Sequence, residues 1–440
     1  MDGTTSGKFL VISGGGDGLG LALKLRMQGN DVATWIREGR AKDNYTGLLR
    51  KPDRWSEALE PDTVVIFDSS GGGRTADRLR ARGHFVFAGS TFADQLELDR
   101  PLALGIMAEA GIKTPTSKTF TSWEKAKAYV KERDTRLVFK ASGKTGDYLG
   151  SYVSYDAGDL IEMLDYFAQV TAGKGKPEFV LQDFVKGIEI STEGWFNGDR
   201  FMSPWNHTIE RKQLLNDGLG PSGGCAGNIV WCTKDMNHVI EEGIARMAPV
   251  LRDNEYIGPI DLNAVVNDEG VWGLEFTPRF GYDALPAILE LFESPVGDVI
   301  ASMARLEYPT ELPMSGRYAA GVRLSIPPYP SEHFHPDEGI PIRGLTRDDR
   351  DHLYFFDVKL DDGNKLVSTA AFGAIVTITG SGDSITEAFA GPMEIADRAK
   401  IPQKQYRTDL GELFLDEWCK FDRCIKREDV STGIAETVGG

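Results

Sequence analysis

Cysteine is scarce in this chain: four in 440 residues, at Cys225, Cys232, Cys419 and Cys424, with no C-x-x-C spacing. That excludes a disulfide-stapled scaffold and a paired-cysteine metal knuckle, and the four are expected as free thiols in a reducing compartment. Long apolar runs are missing too. The longest, such as residues 9–12 and 63–67, are far too short to cross a bilayer. The opening M-D-G-T-T-S-G-K holds no signal-peptide stretch, so the expected location is cytoplasmic. Positive charge is in deficit, with 49 Lys and Arg against 66 Asp and Glu and a formal net charge of −17. A broad nucleic-acid-binding surface needs a basic surplus, so that class is set aside, although a local basic groove stays open. Of the six histidines, His333 and His335 fall in a Pro-rich loop and read as surface. There is no internal repeat or low-complexity tract, and only the end after about residue 428 reads as loose. What remains is ordinary globular material, 41% hydrophobic and 26% charged, long enough for two to four domains.

In chain order, residues 8–12 form a short apolar strand, the glycine loop from Gly14 to Gly20 follows, and a helix covers 21–28. Strand, glycine loop and helix open a doubly wound α/β domain. The glycines give no clean G-x-G-x-x-G, because Leu19 holds the third glycine position, and Glu38 is a weak candidate for a ribose. A nicotinamide-dependent oxidoreductase is the rival reading that this loop alone motivates. Further strands are expected at 31–35, 63–67 and 84–88. The run from Asp68 to Arg74, D-S-S-G-G-G-R, leaves a strand at its carboxyl end, where open α/β sheets hold ligands. Its glycines and Arg74 could cradle an anion. Helices are expected over 94–110, ending at Gly111, and over 159–167, 235–252 and 284–304. From about residue 317 the composition turns β-rich, with strands at 318–325, 353–359, 366–369 and 374–379, then a helix at 384–398.

The stretch 256–283 is the most informative. Runs at 260–266 and 271–276 flank the turn Asn267-Asp268-Glu269-Gly270, a hairpin signal. Alternation puts Asp261 and Asn263 on one face, and Glu275 falls within reach of either across the ladder. Such oxygen side chains, with Arg279 just beyond, could hold Mg²⁺ and a polyphosphate; the plain alternative is a hairpin with solvated acids.

The segment L-E-F-T-P-R-F-G-Y-D resembles the metal-binding hairpin of ATP-grasp ligases, in particular the E-F-N-C-R-F-G-D signature of phosphoribosylamine–glycine ligases. Thr277 stands where that signature has Asn, and Tyr282 where it has Asp. The likeness recurs in order along the chain. R-L-V-F-K-A-S-G resembles the family's V-I-K-A-D-G strand, and K-T-G-D-Y-L-G its phosphate-covering flap. F-V-L-Q-D-F-V-K-G-I-E-I-S resembles its nucleotide hinge, and the loop around Gly220 its D-T-G-P-N-T-G-G-M-G-A. Asp99-Arg100 occupies a place where the family commonly has Lys near a helix start, and Y-R-T-D-L-G near the end resembles C-R-K-D-I-G. The resemblance implies an α/β and α+β chain with the ATP-grasp fold. A doubly wound N-terminal domain at 1–110 would precede a nucleotide-binding domain at 111–315, in subdomains 111–190 and 191–315, and a C-terminal mixed β domain at 316–440.

It also implies roles. ATP and Mg²⁺ (or Mn²⁺) are the expected cofactors. Lys140, Lys144, Gln182, Asp183, Val185 and Glu189 would bind the nucleotide, Glu275 with Asn263 or Asp261 the metal, and Arg279 and Lys212 would serve the chemistry. Asp17, Asp68, Arg74, Gly220, Gly223 and Gly224 would face the other substrates. The reaction would join a small amino acid, glycine or another, to an amine through an acyl phosphate, in a monomer or homodimer that binds no membrane. The N-terminal loops depart from the family: G-G-G-D-G-L-G-L-A and D-S-S-G-G-G-R-T stand where phosphoribosylamine–glycine ligases have G-N-G-G-R-E-H-A and G-P-E-A-P-L. The expected acceptor is therefore a different amine, on a nucleotide-like molecule or modified base. A genuine phosphoribosylamine–glycine ligase and a catalytically weak nucleotide-binding protein are the alternatives.

Overall fold

A computed structural model describes residues 7–147, 149–331 and 334–426. Tyr148, His333, the side chain of Lys144 and the end after residue 428 lie outside the described parts.

Four apolar runs build a parallel sheet: β1 (Lys8–Ser13), β2 (Asp31–Ile36), β3 (Val64–Phe67) and β4 (Phe85–Phe87), in the order β2-β1-β3-β4. They are mostly apolar because both faces are covered. Phe9 and Val11 share a core with Leu21 and Leu25 of helix α1 (Leu19–Met27). Leu10 and Ile12 share another with Ala76 and Leu79 of helix α2 (Gly73–Arg80). The winding direction reverses between β1 and β3, so the loops leaving their carboxyl ends part and open a crevice.

The single helix expected over 94–110 is two, α3 (Thr91–Leu98) and α4 (Arg100–Glu109). The Asp99 carboxylate caps the second by accepting the Leu102 N–H at 3.1 Å, and Pro101, lacking an N–H, suits its first turn and cannot extend the first helix. Gly111, at φ +77°, ends it. Prolines also sit at the breaks in the other long predicted helices. Pro295 precedes Val296–Ala304 and separates it from Leu285–Glu290, while 235–252 divides into His238–Glu242 and Ala248–Asp253 around a 3₁₀ turn.

A small antiparallel sheet follows: β5 (Ser117–Phe120), β6 (Leu137–Ala141), β7 (Ser151–Val153) and β8 (Phe179–Asp183), in the order β5-β8-β6-β7. Leu137, Phe139, Phe179 and Leu181 pack in one core with the helices Trp123–Arg133 and Ala157–Val170. Alternation leaves Val138, Lys140, Val180 and Gln182 on the other face.

The large antiparallel sheet contains β9 (Ile188–Asn197), β10 (Trp205–Gln213), β11 (Ser222–Thr233), β12 (Ile257–Asn267), β13 (Gly270–Thr277), β14 (Tyr318–Ser325) and β15 (Leu353–Phe355). A separate ribbon pairs β16 (Val358–Leu360) with β17 (Leu366–Ser368), and β18 (Ala374–Gly382) returns to the large sheet, whose order is β13-β12-β9-β10-β11-β14-β18-β15. The strand expected over 353–359 is thus split between two sheets. The buried Asp357 carboxylate sits at the split and accepts N–H groups from Phe372 and Gly373, each at 2.7 Å. The large sheet crosses residue 315 without interruption, because β11 pairs with β14. Among the described residues no helix is long and apolar enough to cross a membrane.

Candidate active site

Strand register gathers the polar side chains. Asn263 on β12 stands opposite Glu275 on β13 and Ser191 on β9, and Asp261 stands opposite Thr277 and Glu193. On β10, Thr208 lies opposite Ser191, so Glu210 and Lys212 continue along the same face. A bulge follows Asn263 and lets the turn end of the hairpin shift register without moving these pairs.

Cations surround Glu275. Arg100 Nη1 donates to Glu275 Oε2 at 2.9 Å, and Lys140 Nζ approaches the same oxygen to 4.0 Å from the small sheet. Burial works to raise the Glu275 carboxyl, but Lys140, Arg100 and Lys212 outweigh it and bring it down to about 2. Lys140 is only 7% exposed, and burial lowers its ammonium to about 8 despite Glu275, with Arg100 adding repulsion. Burial also opposes the Lys212 charge, yet Glu189, Glu210 and Glu275 hold it above its ordinary value; its Nζ lies 3.5 Å from Glu189 Oε1.

Behind this group the carboxyls titrate high. Burial raises Asp261 to about 6, eased by the Ser191 hydroxyl that donates to it. Burial and then Asp261 push Glu193 to about 8, against donors from Asn206 and Trp195. Burial, followed by Asp283, takes Glu210 to about 8. At neutral pH burial therefore keeps protons on Glu193 and Glu210, while Asp261 is mostly ionised and Glu275 carries full negative charge.

On the small sheet Gln182 shares the Lys140 face, and its Nε2 is buried without a partner. Asp183 turns the other way and accepts from Arg133 Nη2 at 2.6 Å. Val185 is half-buried between β8 and β9, and Glu189 is exposed at the start of β9. Register thus unites Glu275, Asn263, Asp261 and Lys212, Lys140 joins them from the small sheet, and Asp183 is turned away.

A cavity of about 930 Å³ fills the crevice between β1 and β3 and extends under the second glycine loop. Asp17, Gly223, Gly224, Arg279, Arg323 and Tyr329 all line it. Arg279 is fixed by Glu97, which accepts from Nε at 3.0 Å and Nη2 at 2.6 Å, and its guanidinium lies over the Tyr282 ring at 4.1 Å. Arg323 pairs with Asp283 at 2.5 Å. Burial raises the Asp17 carboxyl to about 7, with Asp68 and Asp283 adding repulsion.

Three residues expected to face substrate lie elsewhere. Asp68 is fully buried and accepts the N–H groups of Gly14 at 3.1 Å and Gly18 at 2.8 Å, so it braces the glycine loop from behind. Arg74 is exposed on α2, away from the cavity lining, and Gly220 forms an exposed turn at φ +80°. Asp68→Asn is expected to turn one acceptor into a donor facing an N–H, costing about 1–3 kcal/mol. A lower urea midpoint would register this, and an unchanged midpoint would mean that the loop does not depend on the carboxylate.

Sequence reasoning left Arg100, Arg323, Asp283, Arg37 and Tyr329 out of the site. Arg323 did carry a signal, a charge inside the apolar strand G-V-R-L-S. Arg100 carried one too, since Asp99-Arg100 stands where the family commonly has Lys; Arg37, Asp283 and Tyr329 were not singled out, because their neighbours come from remote segments.

Comparison with known proteins places this geometry. The family model for the phosphoribosylglycinamide synthetase ATP-grasp (A) domain matches residues 100–284. The phosphoribosylamine–glycine ligase of Halalkalibacterium halodurans is 25% identical over 348 residues, 78% of this chain and 79% of that one. That of Streptococcus pneumoniae serotype 4 is 24% identical over 425 residues, covering 92% and 99%. The solved phosphoribosylamine–glycine ligase of Thermotoga maritima matches with a TM-score of 0.72 at 22% identity, covering 91% of this chain and 99% of its own. The biotin carboxylase domain of the Hydrogenobacter thermophilus 2-oxoglutarate carboxylase, solved with MgADP and bicarbonate, matches at 0.62 and 10%, covering 91% and 92%.

Proposed function

From a chain with the ATP-grasp fold, whose residues 100–284 match the ATP-grasp domain of phosphoribosylglycinamide synthetases, we infer an ADP-forming carboxylate–amine ligase. The observation that carries this reading is the convergence of Lys140 from the small sheet and Arg100 from α4 on Glu275 of the large sheet. An isolated cluster of this kind is a charge balance waiting for another anion. Nucleotide phosphates would take over Lys140 and Arg100, and the unpartnered Gln182 amide on the same face would gain an acceptor.

The donor set fits a hard cation. Glu275, Asn263 and Asp261, with the Thr277 hydroxyl opposite Asp261, present oxygens from adjacent ladder positions. Among the described residues no three His, Cys, Asp or Glu side chains form a cage; Mg²⁺ is commonly held by one or two carboxylates together with substrate phosphates. The ion would supply charge neutralisation on those phosphates.

In the reaction, a carboxylate oxygen of the amino acid attacks the γ-phosphorus of ATP, the bond to the β-phosphate oxygen breaks, and ADP leaves. The amine nitrogen then attacks the acyl carbon, the C–O bond to phosphate breaks, and the amine loses a proton. Lys140 and Arg100 hold the phosphate charge, and Arg279, braced by Glu97, presents its remaining N–H groups to the anionic amino acid and acyl phosphate. Glycine or another small amino acid is the donor, and the acceptor is an amine other than phosphoribosylamine. A genuine phosphoribosylamine–glycine ligase is the second reading, favoured by the end-to-end likeness to the Streptococcus pneumoniae enzyme.

Hydroxylamine tests the ligase chemistry without knowledge of the acceptor, because it captures an acyl phosphate as a hydroxamate. With Mg-ATP and a panel of amino acids, hydroxamate and ADP are expected together for glycine or a close relative. No ADP above background with any amino acid would overturn the reading.

A further inference from the structure

We propose that Tyr329 is a catalytic residue, whose hydroxyl donates to the acyl oxygen of the activated amino acid while the amine attacks. This rests on the ligase reading above and assigns a residue to its second step.

Arg323 lies inside β14, and Tyr329 follows that strand on a turn closed by its own N–H, which donates to the Ile326 carbonyl at 3.1 Å. Ile326 in turn donates to the Gly373 carbonyl at 2.9 Å, which fixes the turn against the chain. Two adjacent glycines let the neighbouring side chains approach the second glycine loop. A side chain at Gly223 would begin 2.6 Å from Tyr329 Oη, and one at Gly224 would begin 2.8 Å from Asp283 Oδ2. Gly224 donates its N–H to Tyr329 Oη at 3.2 Å, and the Arg323 guanidinium stands beside the same oxygen. Donor hydrogens thus surround that oxygen, and the phenol still has one proton of its own to give. Among the described residues none accepts it. A brace for Gly224 would need the oxygen alone, so the proton is surplus to that role. Tyr329 lines the cavity of about 930 Å³, where the proton is left for a ligand. Accepting an N–H bond polarises the O–H and strengthens it as a donor.

The neighbours say which ligand atom receives it. Arg279, assigned above to the anionic amino acid and acyl phosphate, lies over the Tyr282 ring at 4.1 Å. The next residue, Asp283, holds Arg323 at 2.5 Å, so one short segment of the cavity lining joins Arg279 to the Tyr329 group. A charged arginine suits phosphate and carboxylate. A neutral donor suits the acyl oxygen, which is uncharged before the attack and negative during it. As the amine nitrogen bonds to the acyl carbon, the C=O electron pair moves onto that oxygen, and Tyr329 holds it. The pair then returns, the C–O bond to phosphate breaks, and the proton lost by the amine leaves with the phosphate as HPO₄²⁻. Tyr329 keeps its own proton throughout.

Tyr329→Phe removes only the hydroxyl, and rapid mixing with Mg-ATP, the responsive amino acid and hydroxylamine separates the two steps. ADP made in the first turnover reports phosphoryl transfer, and hydroxamate reports attack on the acyl carbon. First-turnover ADP is expected at the parent's rate, with hydroxamate formation about a hundredfold slower. Melting temperature and the KM for ATP should not change. A residue that only braced the glycine loop would slow both steps together, lower the melting temperature or raise the KM for ATP. Any of those results, or hydroxamate formation slowed by less than about tenfold, would overturn the proposal while the parent's own hydroxamate left the ligase reading intact. Absence of hydroxamate from the parent with every amino acid would remove both.

Discussion

Glu275→Gln is expected to reduce ADP formation by about two orders of magnitude or more, that is, about 3 kcal/mol or more of lost barrier lowering. The change preserves size and one oxygen for Arg100, so packing is retained. What disappears is the negative charge on which Lys140 and Arg100 converge, and with it the anionic group proposed to hold the metal. Nucleotide affinity should then depend less on Mg²⁺. Stability should change as well. The Glu275 carboxyl titrates lower in the fold than its ordinary 4.5, so its contribution is complete above that value and fades as pH falls towards about 2. The glutamine variant should therefore melt below the parent at pH 7 without nucleotide, and the gap should close in acid. Activity within tenfold of the parent would return the hairpin to a surface with solvated acids.

Lys140→Met separates binding from folding. The methionine keeps the aliphatic stem in its buried place and removes the ammonium, so nucleotide affinity should fall by about tenfold or more. Melting temperature should hold or rise. The folded Lys140 pKa of about 8 lies below the unfolded 10.5, which means the protonated form opposes folding throughout the range below 8. The same shift gives the parent a pH profile. Phosphates need the ammonium, so ATP affinity should weaken as pH climbs through 8, while the Met variant stays flat across that window. Calorimetric titration at pH 7 and pH 9 on both proteins decides this. Equal affinity in parent and variant would remove Lys140 from the phosphate site.

The N-terminal loops show how a sequence argument can point to the right place with the wrong residues. Asp68 and Arg74 stood next to glycines at a strand end, where ligands gather, and the cavity does open there. Yet Asp68 points back into the loop and Arg74 points out, because side-chain direction at a turn depends on backbone angles that composition does not encode. The arginines that line the cavity instead, Arg37, Arg279 and Arg323, come from segments 44 to 286 residues apart in the chain.

Periodicity and punctuation alone determined most of the elements. The strand at 318–325 and the hairpin turn are where alternation placed them, and Glu275 faces Asn263 because strands of fixed pleat joined by a short turn have little freedom of register. Order along the chain also carried the ATP-grasp resemblance, since local motifs survive when global identity is low. Only the tertiary structure decided which charges meet. Arg100 reaches Glu275 across 175 residues because Asp99 and Pro101 break a helix that looked continuous, and Lys140 arrives from another sheet. It also decided where each carboxyl titrates. Asp261, Glu193, Glu210 and Glu275 look alike in sequence, but burial raises the first three while neighbouring cations lower the last. Charge state follows from solvent access and from partners brought together in space, neither of which is a property of the local chain.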